Sequence, residues 1–425
     1  MVEVTLVLLG ISLILFFGFL AEFAFKKIHI PDILFLIILG FALGPYGFDY
    51  IQPERVAGFA PVFTTFALLF LLYDGAFTID LASFVRGVTK SLGITFFNFI
   101  ISAIVVSGIM YAFGFDLLTS LLTGSILGGI SSAFVIPLIK QLHIKGETYS
   151  ILTIESAVTD VLCIVCALTV MEIIKLNVFN FQIMVSKIAA LFAVAGFIGI
   201  IAGVIWIILI VKVFKEHKSY MITIAYLILV YVFTEFLNGN GAIAALFFGL
   251  MLRNSKELTA IFAGVVKKHD AQVIAKQKSN KKQSTTAMID TDYGITVTSS
   301  MEEFFYSQIS FFLKTFFFVY IGILFNINDT KALVIGAVIA ISLMVSRLFS
   351  GLVTKSLHEF DRKLIKSIFA RGLAAAAIAQ IVLLNNIENA LMITNITYSV
   401  ITFTIILSSV KIFFIKKNHA PEEVK

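Results

Sequence analysis

Apolar residues in this chain come in long continuous runs, not in a two-residue alternation, and short polar joints separate the runs. A helix rises about 1.5 Å per residue, so roughly 20 apolar residues cross the ~30 Å hydrocarbon core of a bilayer. The pattern predicts thirteen spans, at 4–25, 31–47, 58–74, 91–114, 117–140, 148–174, 182–213, 219–238, 240–253, 303–327, 331–354, 363–386 and 394–415. Two are interrupted at membrane depth. The fifth carries Leu127-Gly128-Gly129-Ile130-Ser131-Ser132-Ala133-Phe134-Val135-Ile136-Pro137, and the twelfth carries Phe369-Ala370-Arg371-Gly372-Leu373 followed by alanines. Breaks of this kind free main-chain groups, which lipid tolerates only where protein or water covers them. Spans five and twelve are seven apart, as they would be if spans one to six were repeated, inverted, in spans eight to thirteen. That is the plan of secondary transporters with ion sites at broken helices.

Composition confirms the class without changing the elements. The chain is 59% hydrophobic and 14% charged, with a mean hydropathy of +1.00, whereas a soluble domain is about 25% charged. An all-α polytopic membrane protein is expected, since ten-residue alternating barrel strands are missing from the pattern. The net charge of +6 does not imply a nucleic-acid partner. With the N-terminus outside and the C-terminus cytoplasmic, 25 of the 32 basic residues fall in inner segments, the bias expected of a cell-membrane protein. The first run lacks a basic leader and reads as a span, not a cleavable signal. Residues 254–301 form the long polar stretch, read as a basic cytoplasmic loop attracted to anionic lipid, and 416–425 as a short tail. Cys163 and Cys166 lie in an apolar helix and read as small buried residues, not as metal ligands.

The sixth span, Thr148 to Leu168, contains two carboxylates, Glu155 and Asp160. Charges at this depth are rare and mark either a transport path or a partner charge. Asp160 lies thirteen residues beyond Glu147 at the inner end, roughly 18–20 Å into the core. Glu155 and Arg347 of the eleventh span are each eight residues from an inner-end charge. At that matching depth an ion pair is the least costly way to keep both charged. Asp160 is about 140° around the helix from Glu155 and is free to titrate. Proton and cation would then compete for one carboxylate, and such competition is sufficient for coupled exchange. Thr159 and Ser156 hydroxyls, with main-chain carbonyls near Ser131 and Ser132, are the neighbouring oxygens for a hard monovalent cation such as Na⁺ or K⁺. The alternative for each hydroxyl is to bond its own helical turn. Arg371 either compensates a half-helix end, shapes the field along the ion path, or snorkels inward. Lys314 lies mid-span with no partner evident from the sequence, and is placed with Arg371 among the charges that shape the field along the ion path.

Glu155-Ser156-Ala157-Val158-Thr159-Asp160 resembles the Glu-Ser-x-x-Asn-Asp motif of the monovalent cation:proton antiporter superfamily, specifically the NhaP-type sodium/proton antiporters. Ile30-Pro31-Asp32 leading to Leu39-Gly40-Phe41-Ala42-Leu43-Gly44-Pro45, Ser346-Arg347-Leu348 and Arg371-Gly372-Leu373-Ala374 match in order over nearly the whole chain. The resemblance implies an NhaA-like antiporter fold in a homodimer, with spans 1–3 and 7–10 as a fixed scaffold and spans 4–6 and 11–13 as a moving core. It implies that Asp160 is the shared proton and cation site, that Ser156 helps to ligate the ion, and that Glu155 pairs with Arg347. It implies no resident cofactor. Thr159 stands where the family usually has Asn, and Ile130-Ser131-Ser132 where many members have Thr-Asp-Pro. One carboxylate then remains at the crossing, consistent with electroneutral exchange. A cation-coupled solute symporter and a cation channel are the competing readings; the first needs a larger polar cavity and the second a filter of carbonyl loops.

Overall fold

The computed structural model describes residues 10–21, 23, 32–53, 60–77, 89–142, 144, 146–176, 181–212, 220–255, 300–354 and 359–419. Most of the 254–301 loop and the end of the tail lie outside these, as does the Lys187 side chain. The described residues form helices, and no strand occurs among them. In chain order these are α1 (Gly10–Ala21), α2 (Asp32–Leu43), α3 (Ala60–Phe77), α4 (Thr89–Ala112), α5 (Leu117–Ile126), α6 (Ser132–Gln141), α7 (Gly146–Leu176) and α8 (Phe181–Lys212). They continue as α9 (Tyr220–Phe236), α10 (Gly241–Arg253), α11 (Ser300–Leu324), α12 (Thr330–Ser346), α13 (Glu359–Ile365), α14 (Leu373–Leu384) and α15 (Ala390–His419). A 3₁₀ turn at Arg347–Phe349 extends α12 into one further turn, Ser350–Val353.

Among the described residues, five stretches are long and apolar enough to cross a membrane on their own: Ser91–Ala112, Thr148–Leu176, Ala189–Ile210, Thr330–Phe349 and Ala390–Ile415. The apolar stretches of other helices, such as Ala60–Tyr73 of α3 and Phe311–Leu324 of α11, are 10–17 residues long. The two interruptions explain part of that shortness. Span five is divided into α5 and α6 by residues 127–131, and span twelve into α13 and α14 by residues 366–372.

The chain divides into two compact units. The first comprises Met1–Leu71, Val88–Ala189 and Gln308–Lys425. In it α4 packs on α5 and α7, α12 on α15 and α4, and α14 on α15 and α7. Lys314 on α11 bonds Asp32, the first residue of α2, at 2.5 Å. Eight residues further along each helix, Gly40 meets Gly322 so closely that a Cβ at Gly40 would lie 3.0 Å from the Gly322 Cα. Near the far end the Tyr46 hydroxyl donates to Asn326 at 2.6 Å. The second unit, Leu72–Gly87 and Ala190–Ser307, is held by aromatic stacking, with Trp206 on Tyr226 at 4.5 Å and Tyr73 on Phe248 at 5.9 Å between centroids.

Candidate functional site

A broken helix leaves main-chain donors and acceptors without their own turn, and each needs another partner when buried. In the fifth span these partners come from outside the helix. The Gly129 amide donates to Cys163 Sγ at 3.1 Å, the Ile130 amide to Thr159 Oγ1 at 3.1 Å, and the Ser131 amide to the Ala370 carbonyl at 2.9 Å. The Gly129 carbonyl accepts a bond from Arg371 Nη1. In the twelfth span the Phe369 amide donates to Ser408 Oγ at 3.2 Å and the Arg371 amide to Thr404 Oγ1 at 3.0 Å. Thr159 and Cys163 stand four apart on α7, and Thr404 and Ser408 four apart on α15. Residues i and i+4 share a helix face. Each break is therefore held by two side chains on one face of a continuous helix, and the two breaks meet through Ser131 and Ala370.

Asp160 is on α7 beside this crossing and is only partly buried. Its partner is Ser132, the first residue of α6, whose hydroxyl donates to it at 2.5 Å. That donor is neutral. The positive end of the α6 dipole also faces the carboxylate. No salt bridge to Asp160 occurs among the described residues.

Glu155, on the same helix, is 1% exposed and differently surrounded. Both nitrogens of the Arg347 fork donate to its two oxygens, Nη2 to Oε2 at 2.9 Å, and Asn98 Nδ2 donates to Oε1 at 3.0 Å. Arg347 Nε is taken by the Ile365 carbonyl at 2.9 Å. This bidentate geometry is the strong form of a carboxylate–guanidinium pair.

The remaining sequence candidates divide. Ser132 is brought to Asp160. The Ser156 hydroxyl turns back to the Thr153 carbonyl at 3.1 Å, and the Thr159 hydroxyl serves Ile130 while lying 3.3 Å from the Ser156 carbonyl. Ser131 is 1% exposed, and its hydroxyl has no hydrogen-bond partner. Arg371 is 2% exposed, so it does not snorkel; it sits at the crossing, with its Nε unpartnered. Lys314 is paired with Asp32. The sequence reading did not single out Asn98, Thr404 or Ser408, and it took Cys163 for an inert apolar residue. Among the described residues no group of three or more His, Cys, Asp or Glu converges on a metal site. A cation at Asp160 would therefore complete its shell with hydroxyls and carbonyls.

The transmembrane profile of the sodium/hydrogen exchangers matches residues 11–417. The comparison with curated proteins returned no match. Among solved structures, the sodium proton antiporter MjNhaP1 of Methanocaldococcus jannaschii at pH 8 superposes with a TM-score of 0.73 at 18% identity, over 99% of this chain and 100% of that one. An electron-microscopy structure of the same antiporter gives a TM-score of 0.68 at 18% identity, over 99% of each chain. At that identity the likeness establishes the fold.

Proposed function

The chain belongs to the sodium/hydrogen exchanger family, a family of integral membrane transporters and not of enzymes, and on that premise we propose that it exchanges Na⁺ or K⁺ for H⁺ electroneutrally by alternating access. The observation that carries the proposal is the contrast on α7. Glu155 is neutralised by a buried guanidinium, whereas Asp160 meets only neutral donors beside a double helix break. A carboxylate without a permanent counter-charge takes either a proton or a metal ion, and burial makes it costly to leave bare. If the core reorients only when one of them is bound, the two flows are coupled one for one. Ser132 is the first additional ligand, with Ser131, Ser156 and Thr159 contributing hydroxyl or carbonyl oxygens as the site closes. Arg371 sets the local field without neutralising Asp160.

The wider arrangement belongs to the same reading. It has thirteen spans, N-terminus outside and C-terminus cytoplasmic, in a cell membrane, with two inverted six-helix repeats. A homodimer holds spans 1–3 and 7–10 fixed while spans 4–6 and 11–13 move. The paired i, i+4 anchors on α7 and α15 support the repeat, because each serves the broken helix that precedes it in the chain.

Proteoliposomes containing a pH-sensitive dye test the proposal. Wild type should move protons when Na⁺ or K⁺ is added outside, without generating a voltage. Asp160→Asn should bring that movement to background while leaving the folded yield intact. Retained exchange in this variant removes the site, and a voltage generated by turnover removes electroneutrality. Comparing Na⁺, K⁺ and Li⁺ in the same assay identifies the cation.

A further inference from the structure

The amide of Gly129 is the first of three consecutive donors in the fifth-span break, and its acceptor is a sulfur, Cys163 Sγ at 3.1 Å. Nothing can intervene between the two segments. A Cβ added at Gly129 would lie 2.7 Å from Thr159 Cβ and 2.8 Å from Cys163 Sγ. Cys163 is 2% exposed and one helical turn beyond Asp160's neighbour Thr159. The next peptide unit, whose Ile130 amide Thr159 takes, presents the Gly129 carbonyl to Arg371, and three residues after Gly129 the same segment delivers the Ser132 hydroxyl to Asp160.

We propose that Cys163 is a positioning residue for exchange: by accepting the Gly129 amide it fixes the break between α5 and α6, whose oxygens complete the cation shell at Asp160. The assignment rests on the proposed exchange at Asp160. A proton needs only the carboxylate, whereas a cation needs several oxygens at fixed distances. Loss of the anchor therefore falls on cation binding and spares protonation. The consequence differs from that of a packing residue, whose loss lowers yield but leaves the affinity of the molecules that fold.

The test compares Cys163→Val, close in shape but with no acceptor, with Cys163→Ser, which restores an acceptor. In proteoliposomes the Val variant should raise the apparent KM for the cation about fivefold with the maximal rate within about twofold, the expected consequence of one lost hydrogen bond felt in ground-state binding. The Ser variant should stay near wild type. Hydrogen–deuterium exchange should also show faster exchange at the Gly129 amide in Val and not in Ser. If Val does not fold, Cys163→Ala takes its place in the same comparison. An unchanged KM in the variant without an acceptor, or equal KM values with and without one, overturns the assignment. That failure is separable from failure of the exchange reading, in which wild type shows no cation-dependent proton movement or Asp160→Asn retains it.

Discussion

Glu155 and Asp160 are the same chemistry five residues apart on one helix, and their surroundings give them opposite uses. Glu155 is closed in by a two-pronged guanidinium and an amide, and the Arg347 Nε donates to a carbonyl. Asp160 has a hydroxyl from the start of α6, and remains partly accessible. A permanent counter-ion makes a buried acid part of the structure; neutral donors leave it able to exchange partners. What separates the two is rotation about the helix, since five residues turn the side chain by about 140° toward different neighbours.

The largest effect expected from breaking this contrast is on the closed side. Glu155→Ala or Arg347→Ala strands a buried charge and should cost about 3–5 kcal/mol, read as a lower Tm in detergent and a poorer folded yield. Replacing both, as Glu155→Leu with Arg347→Met, should recover much of that loss, because two apolar residues need no neutralisation. The double variant should still exchange ions. If a single variant keeps its Tm but loses exchange, Glu155 belongs to the transport path and the contrast fails.

The depth of each charge could be counted from helix rise, so the sequence was enough to bring Glu155 and Arg347 to one level and to leave Asp160 alone. The two breaks were legible too, because Gly128-Gly129 and Gly372 are poor helix interiors. What was not legible depends on which helices adjoin. Asp32 lies 282 residues from Lys314 and begins its helix, where it reads as an ordinary acidic first-turn residue. Gly40 and Gly322, each eight positions further along, were the available sign of that register. The three readings of Arg371 could be separated only by a carbonyl 242 residues away. Cys163 was passed over because sulfur is a weak acceptor, and its spacing of four from Thr159 has meaning only once the α5–α6 break is known to lie against that face.

Asp32 and Lys314 extend the comparison to a third carboxylate, also with a fixed counter-charge but less enclosed: the Lys314 side chain is 14% exposed and Asp32 4%. Lys314→Met should therefore cost less than loss of Arg347, about 2 kcal/mol of stability, while the exchange rate per folded molecule stays at the wild-type value. Thermal unfolding in detergent combined with dye assays normalised to protein tests both halves. Unchanged stability with altered exchange would transfer Lys314 from the α2–α11 contact to the ion path.

The smallest change tests the open side. In the structure the Ser132 hydrogen is given to Asp160, but its oxygen keeps lone pairs for a cation. Ser132→Ala removes one oxygen from the proposed shell and leaves the carboxyl able to take its proton. The apparent KM for the cation should rise about two- to fivefold, corresponding to roughly 0.5–1 kcal/mol, with the maximal rate unchanged. The direction decides more than the size. Before a cation arrives the same hydroxyl stabilises the bare carboxylate, so a side chain that did only this would compete with the ion, and its removal would lower KM. A lowered KM would leave main-chain carbonyls of the 127–131 break as the remaining ligands, and would make their placement, not the hydroxyls, what distinguishes Asp160 from Glu155.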